Sequence, residues 1–287
     1  MKNLFKIAAL ILVSLVSSGT HAQEKKSNQS LLWEISGNGL TKPSYLYGTI
    51  HMICKDDFIF SEKTKKALDQ AGQLTLEINM TDPKEIADVQ SFFMSNVPLS
   101  KKLTPKQYAE VDQLTTTKLG MSLGKMGNAS LFAVYGSFLY KAIGCTDIKS
   151  YENEFITYAN NRKMSVAGLE SGRAQMENIN KAYPDDFIVE LIKADEEYNI
   201  MWAELIEAYK NEDLKKTYRY ITDSKFMNPE AMKWLLTVRN TNWVNKMPAM
   251  MQEESNFFAV GAAHLVGKDG VIELLRAKGY KVNPIMN

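Results

Sequence analysis

Two stretches far apart in the chain share one frame, Gly48-Thr49-Ile50-His51 and Gly261-Ala262-Ala263-His264. The sequence holds 3 histidines in 287 residues, and these are two of them. With glycine at about 7% of residues, a glycine three positions before both is roughly a one-in-200 coincidence. Imidazole is the side chain best suited to metal ligation and to proton transfer near neutral pH. Two histidines in one repeated frame therefore predict a shared site.

Carboxylates stand where they could complete it. Glu77 sits in an alternating run, 73–79, between Leu76 and Ile78, and so faces away from them in a strand. A carboxylate on a covered face is costly unless paired. Glu170 follows the short apolar run 165–169 and is a candidate general base for water, or a further ligand. Two imidazoles with one or two carboxylates form a mixed N/O donor set suited to a divalent first-row metal. Three protein ligands and an open position would lower the pKa of bound water and polarise a carbonyl. We expect His51, Glu77 and His264 as ligands, with Glu170 and Arg239 as catalytic residues. Arg239 lies in a helical stretch, 234–246, whose apolar residues would face the core, and it could stabilise a developing oxyanion. Gln175 and its counterpart Asn240 are the candidates for contact with substrate, and Gln175 could also orient Glu170. No HExxH pattern occurs, so the ligands must converge from distant segments.

The composition narrows the setting. Lys2 and Lys6 precede an apolar run, 7–16, too short to span a bilayer, and Thr20-His21-Ala22 offers small residues at minus three and minus one. Residues 1–22 read as a signal peptide cleaved after Ala22, or as an uncleaved anchor, and 23–30 as a polar leader. The product would be periplasmic or secreted. Removing Lys2 and Lys6 takes the net charge from +1 to −1, and no basic block remains, which argues against nucleic acid as a partner. The most apolar remaining helix candidate, 129–143, carries Ser130, Ser137 and Lys141 and reads as buried, not membrane-spanning. Cys54 and Cys145 form an even pair in an exported chain, which favours a disulfide; free thiols or a soft metal ligand are the alternatives.

Residues 31–36 and 45–50 read as strands of a hairpin around Gly37-Asn38-Gly39, 61–71 as a helix capped by Ser61, and 73–79 as a strand. Residues 82–144 are helical, with Asp82-Pro83 and Thr104-Pro105 as starts. Helices follow at 150–163, 171–183, 185–210 and 229–251, with a strand at 165–169. The chain closes with strand 257–260, helix 269–278 and strand 280–285. Strand, GxxH, helix, strand describes both 45–79 and 257–285. The expected fold is α/β: a central mixed sheet with pseudo-twofold strand–helix–strand halves, parallel neighbours and helices on its faces. Residues 31–287 would form one domain whose helical insertions cover the site. Ligands in such sheets gather beyond the carboxyl ends of strands.

GTIH at 48–51, LTLEIN at 74–79, GLES at 168–171 followed by Gln175, Arg239-Asn240 and GAAH at 261–264 together resemble the TraB/GumN family. That family includes the Tiki-type metalloproteases and is related in fold to erythromycin esterases and haem-uptake proteins. The resemblance covers nearly all of the chain after the leader. It implies an α/β sheet flanked by helices and, for Tiki-like members, manganese- or cobalt-dependent peptidase activity. The leading expectation is an exported metal-dependent hydrolase, with Mn, Co or Zn as cofactor and a peptide or protein as substrate. The alternatives are a metal-free hydrolase using a histidine as general base and a non-catalytic protein that sequesters a peptide or cofactor.

Overall fold

A computed structural model describes residues 30–287, so the expected signal peptide with His21, and the leader up to residue 29, lie outside the described residues, whereas Ser30 is buried and bonded to Ile285 O as part of the domain. Six strands form the central sheet: β1 (Leu32–Ser36), β2 (Ser44–Thr49), β4 (Gln73–Leu76), β6 (Ser165–Gly168), β7 (Asn256–Gly261) and β8 (Lys281–Pro284). Two short strands, β3 (Ile53–Cys54) and β5 (Ile148–Lys149), pair beside it. The sheet order is β6-β4-β7-β2-β1-β8. The hairpin forms as expected, with β1 antiparallel to β2. β2 is buried along its whole length and β7 along all but its last residue, because helices cover both faces of these central strands.

β2 and β7 lie side by side and parallel, with Gly48 opposite Val260 and Thr49 opposite Gly261. Both GxxH frames therefore leave the sheet at the same end. The two strand–helix–strand halves run in opposite directions from this pair. The first crosses β7 to reach β4; the second crosses β2 and β1 to reach β8. The two halves are unequal, because β1 intervenes on one side only. The expectation of parallel neighbours within each half is corrected here: β2 and β4 are not adjacent, nor are β7 and β8.

Local chemistry sets the helix boundaries. The Ser61 side chain accepts from Thr64 N at the start of Glu62–Gln70. Asp82 and Thr104 cap Pro83–Phe92 and Pro105–Leu114, each with proline in the first turn. The continuous helix expected over 185–210 is two, Asp185–Lys193 and Asp195–Lys210, broken at Ala194. The second helix runs from one core into another, its Tyr198 and Met201 packing against the helical block before its later turns reach the sheet. Ile188, Val189, Leu191 and Ile192 pack in the helical block with Leu131, Val134 and Phe138, whereas Leu205, Ile206 and Tyr209 join the cluster around the sheet. A helix not anticipated, Leu214–Ile221, starts from an Asp213 cap. Among the described residues no helix is long and apolar enough to cross a membrane.

Cys54 and Cys145 form a disulfide, with Cα atoms 5.9 Å apart. It reinforces the β3–β5 pairing, in which Cys54 faces Ile148. The loop after His51 is thereby tied to the segment that leads into the helix Tyr151–Asn161.

Candidate functional site

The glycines of the two frames serve different ends. A Cβ on Gly48 would stand 3.1 Å from both Ala262 Cα and Leu265 Cδ2, so its absence lets β2 pack against the turn after β7. A Cβ on Gly261 would meet no backbone. It would point into a space bounded by Glu77 Oε1 at 3.4 Å, His264 Cδ2 at 3.5 Å and His51 Nε2 at 4.0 Å. Three expected donors thus surround one small cradle.

His264 is buried on the turn that follows β7, its ring 4.4 Å from that of Trp243. Its Nδ1 lies 2.6 Å from Asn240 Oδ1. Asn240 Nδ2 donates to the backbone oxygens of His264 and Asp269, which makes Oδ1 the acceptor and places the imidazole proton on Nδ1. The Nε2 lone pair is left facing Glu77 Oε1 at 3.7 Å and Arg239 Nη1 at 3.1 Å. Burial, and then the Arg239 cation, lower the imidazole to about 3, so it is neutral.

Glu77 follows directly on β4 and is also buried. It accepts from Gly261 N at 2.8 Å through Oε1, and from Gln175 Nε2 at 2.8 Å and Arg239 Nη2 at 2.5 Å through Oε2. Burial alone would raise its carboxyl; Arg239 and the neighbouring donors outweigh that and hold it far below the usual range. Glu170 behaves oppositely. Burial dominates there and raises its pKa despite bonds from Arg239 Nε at 2.7 Å and Gln175 Nε2 at 3.2 Å. One guanidinium, itself over the Trp243 ring at 4.7 Å, holds both carboxylates.

His51 is the exposed member, with 66% of its side chain open to solvent. Its Nδ1 lies 3.0 Å from Glu152 Oε1. Glu152 raises the imidazole to about 9, and solvent screens part of that pull. Glu152 also accepts from Thr49 Oγ1 at 2.6 Å and Ser150 Oγ at 2.9 Å, in the first turn of its helix. The sequence reading did not find Glu152. Thr49 and His51 two residues apart at a strand end were the available hint of a partner on that side, but many acidic residues begin helices here.

A cavity of about 300 Å³ is lined by His51, Glu77, Gln175, Arg239, Gly261 and His264 among others. Another, of about 240 Å³, shares His51, Glu77 and Gln175 and continues past Glu152. The polar cluster therefore lies along a cleft with space on two sides. Glu170 lines neither cavity and stands behind Arg239 and Gln175. Asn240 is 1% exposed with both amide atoms engaged, so nothing of it remains to meet a substrate.

The donors suit a divalent ion. Ligand bonds of about 2.0–2.2 Å let two ligands of one ion stand up to about 4.4 Å apart, and His264 Nε2 and Glu77 Oε1 are 3.7 Å apart. Both imidazoles have their Nδ1 bound to an oxygen, the arrangement that orients Nε2 for ligation. Among the described residues, however, no three His, Cys, Asp or Glu side chains are grouped as a metal-holding set. Arg239 bonds both His264 Nε2 and Glu77 Oε2. An ion could take the His264 lone pair only if Arg239 released it.

Comparison with known proteins bears on this constellation. The model of the TraB/PrgY/gumN family matches residues 31–284. Two Danio rerio proteins are similar: Metalloprotease TIKI2, 21% identical over 318 residues, and Metalloprotease TIKI1, 23% identical over 325 residues. The matches cover 90% and 92% of this chain but 61% and 65% of the relatives, so the chain spans less than two thirds of either. No solved structure matches.

Proposed function

The chain belongs to the TraB/PrgY/gumN family, and from that premise we propose that it is an exported, metal-dependent hydrolase acting on peptide bonds. The observation that carries the proposal is the cradle at Gly261, on which Glu77, His264 and His51 converge from three segments. Two relatives bearing the name metalloprotease support the reaction class. The signal-like residues 1–22 and the disulfide support a periplasmic or secreted location for residues 31–287 acting as one domain.

His51, Glu77 and His264 would hold Mn, Co or Zn. Such an ion, when bound, lowers the pKa of a coordinated water and polarises a carbonyl. The chain's own groups do the rest. Asn240 and Glu152 fix the two imidazoles. Gln175 steadies the Glu77 carboxylate, and Arg239 Nη1, released from His264 Nε2, would meet the negative charge that develops on the carbonyl oxygen. Glu170, set behind the cavity wall, positions Arg239; a base role requires it to reach water past Gln175.

The contact of Arg239 with His264 Nε2 favours a second reading, a metal-free hydrolase. There the Glu152-paired His51 acts as general base, taking a proton from the attacking water and returning it to the leaving amine, and Arg239 alone stabilises the oxyanion. Metal content separates the two. Elemental analysis of the purified chain should show about one Mn, Co or Zn per molecule, lost in both His51→Ala and His264→Ala. Peptide cleavage by a chain with no bound metal would favour the second reading.

A further inference from the structure

A third cavity, of about 310 Å³, continues from the site beneath the helical cover. It shares Ile50, His51, Phe132, Tyr183, Ile221 and Met227 with the site cavity, so an occupant of one reaches the other. Apart from His51, which it shares with the site cavity, no charged side chain lines it, and a charged group away from His51 would lose its hydration there without compensation. The volume is about twice that of an apolar cavity of roughly 150 Å³ that takes up benzene. An aromatic side chain and part of the chain bearing it would fit.

The walls are not uniformly apolar. Tyr135, Tyr183 and Tyr198 all line this cavity, and Tyr135 is only 7% exposed. Among the described residues their three hydroxyls have no hydrogen-bond partner in the chain; what acts on them is burial, with the neighbouring tyrosines adding to it for Tyr135 and Tyr198. Burial raises all three, Tyr183 to about 12, so they stay neutral donors. A purely hydrocarbon occupant would leave these hydroxyls unpaired, whereas an aromatic ring with a polar tip fills the space and pairs with them. The opening toward His51 places such a residue beside the bond presented to the site.

Resting on the peptidase reading above, we propose that this cavity is the specificity pocket for tyrosine or tryptophan in a polypeptide substrate. The probe is a set of capped pentapeptides, acetyl-Ala-Ala-Xaa-Ala-Ala-amide with Xaa as Tyr, Trp, Phe, Ala or Asp, titrated into the full chain by calorimetry. Phe should bind more than about tenfold tighter than Ala. Tyr and Trp should exceed Phe by roughly threefold to tenfold, the yield of one added hydrogen bond. Tyr135→Phe should shrink the Tyr-over-Phe preference and leave Phe unchanged. Leu139→Trp, which fills the cavity without touching the polar cluster, should weaken all three aromatic peptides and spare Ala. Circular dichroism checks that both variants fold. Equal affinity for the Ala and Tyr peptides would overturn the proposal, as would lauric acid binding tighter than any peptide, which would mark an acyl-chain pocket. Side-chain-selective binding without cleavage would leave this pocket standing and remove the peptidase reading; cleavage without side-chain preference would do the reverse.

Discussion

Asn240 Oδ1 accepts the Nδ1 proton of His264 across 2.6 Å, and that bond decides which nitrogen of the imidazole faces the cleft. Because the Asn240 amide is anchored in turn by the backbone at His264 and Asp269, its orientation is fixed from behind. Asn240→Ala should therefore weaken metal binding by about 10- to 100-fold, the usual loss when an outer partner of a ligand is removed. Leaving the buried Nδ1 unpaired should also cost about 1–3 kcal/mol of stability. Metal titration and urea unfolding measure the two effects separately. A variant with unchanged affinity would show that His264 needs no orienting partner.

In the metal-free chain the His51–Glu152 pair should titrate visibly. The folded pKa of His51 is raised from 6.5 to about 9, so the pair's stabilisation is fully present below about 6.5 and is lost as pH rises through about 9. Glu152→Gln should bring the His51 midpoint back toward 6.5, read from its imidazole signals by NMR. A bound ion must displace this proton, so metal affinity should rise with pH across the same window. A His51 midpoint near 6.5 in the unaltered chain would show the pair does not hold in solution.

Arg239 joins the two carboxylates, and its replacements should discriminate charge from geometry. Arg239→Ala should retain metal and lower turnover by about 10²- to 10³-fold, the loss typical of one oxyanion donor. Arg239→Lys should not restore it, because an ammonium cannot span Glu77, Glu170 and His264 as the planar fork does. Glu170→Gln should also keep its metal. Loss of metal there would place Glu170 among the ligands.

The disulfide holds the His51 loop near the start of the helix that carries Glu152. Its loss by paired Cys54→Ala and Cys145→Ala replacement should lower stability by about 2–5 kcal/mol. Hydrogen exchange should increase at 51–57 and 145–152 well before it increases in β2 and β7. Uniform change across the chain would deny any local role for the bridge.

Much of this site was legible in the sequence because its residues carry their own signals. A repeated GxxH frame and a carboxylate beside strand apolar residues mark His51, His264 and Glu77, and β2 and β7 bring the two frames together by pairing in parallel. What stayed hidden depends on tertiary contact. Glu152 begins a helix like other acidic residues, and only the disulfide-tied loop puts it against His51. Ala194 is a good helix former, so nothing local marks the break after which the second helix runs on from the helical block to the core around the sheet. Asn240 and Arg239 are neighbours in sequence, but helical geometry turns one behind His264 and the other into the cleft. The unequal crossing of the two sheet halves is a matter of strand order, on which periodicity is silent.

The most direct test of the central claim is a peptide-library cleavage assay on the purified chain, run before and after chelation and with Mn, Co or Zn added back. If His51, Glu77 and His264 hold a working ion, cleavage should vanish with chelator and return with metal, and His264→Ala should stay inactive throughout. Cleavage that persists undiminished after complete metal removal, or full activity in His264→Ala, would contradict it.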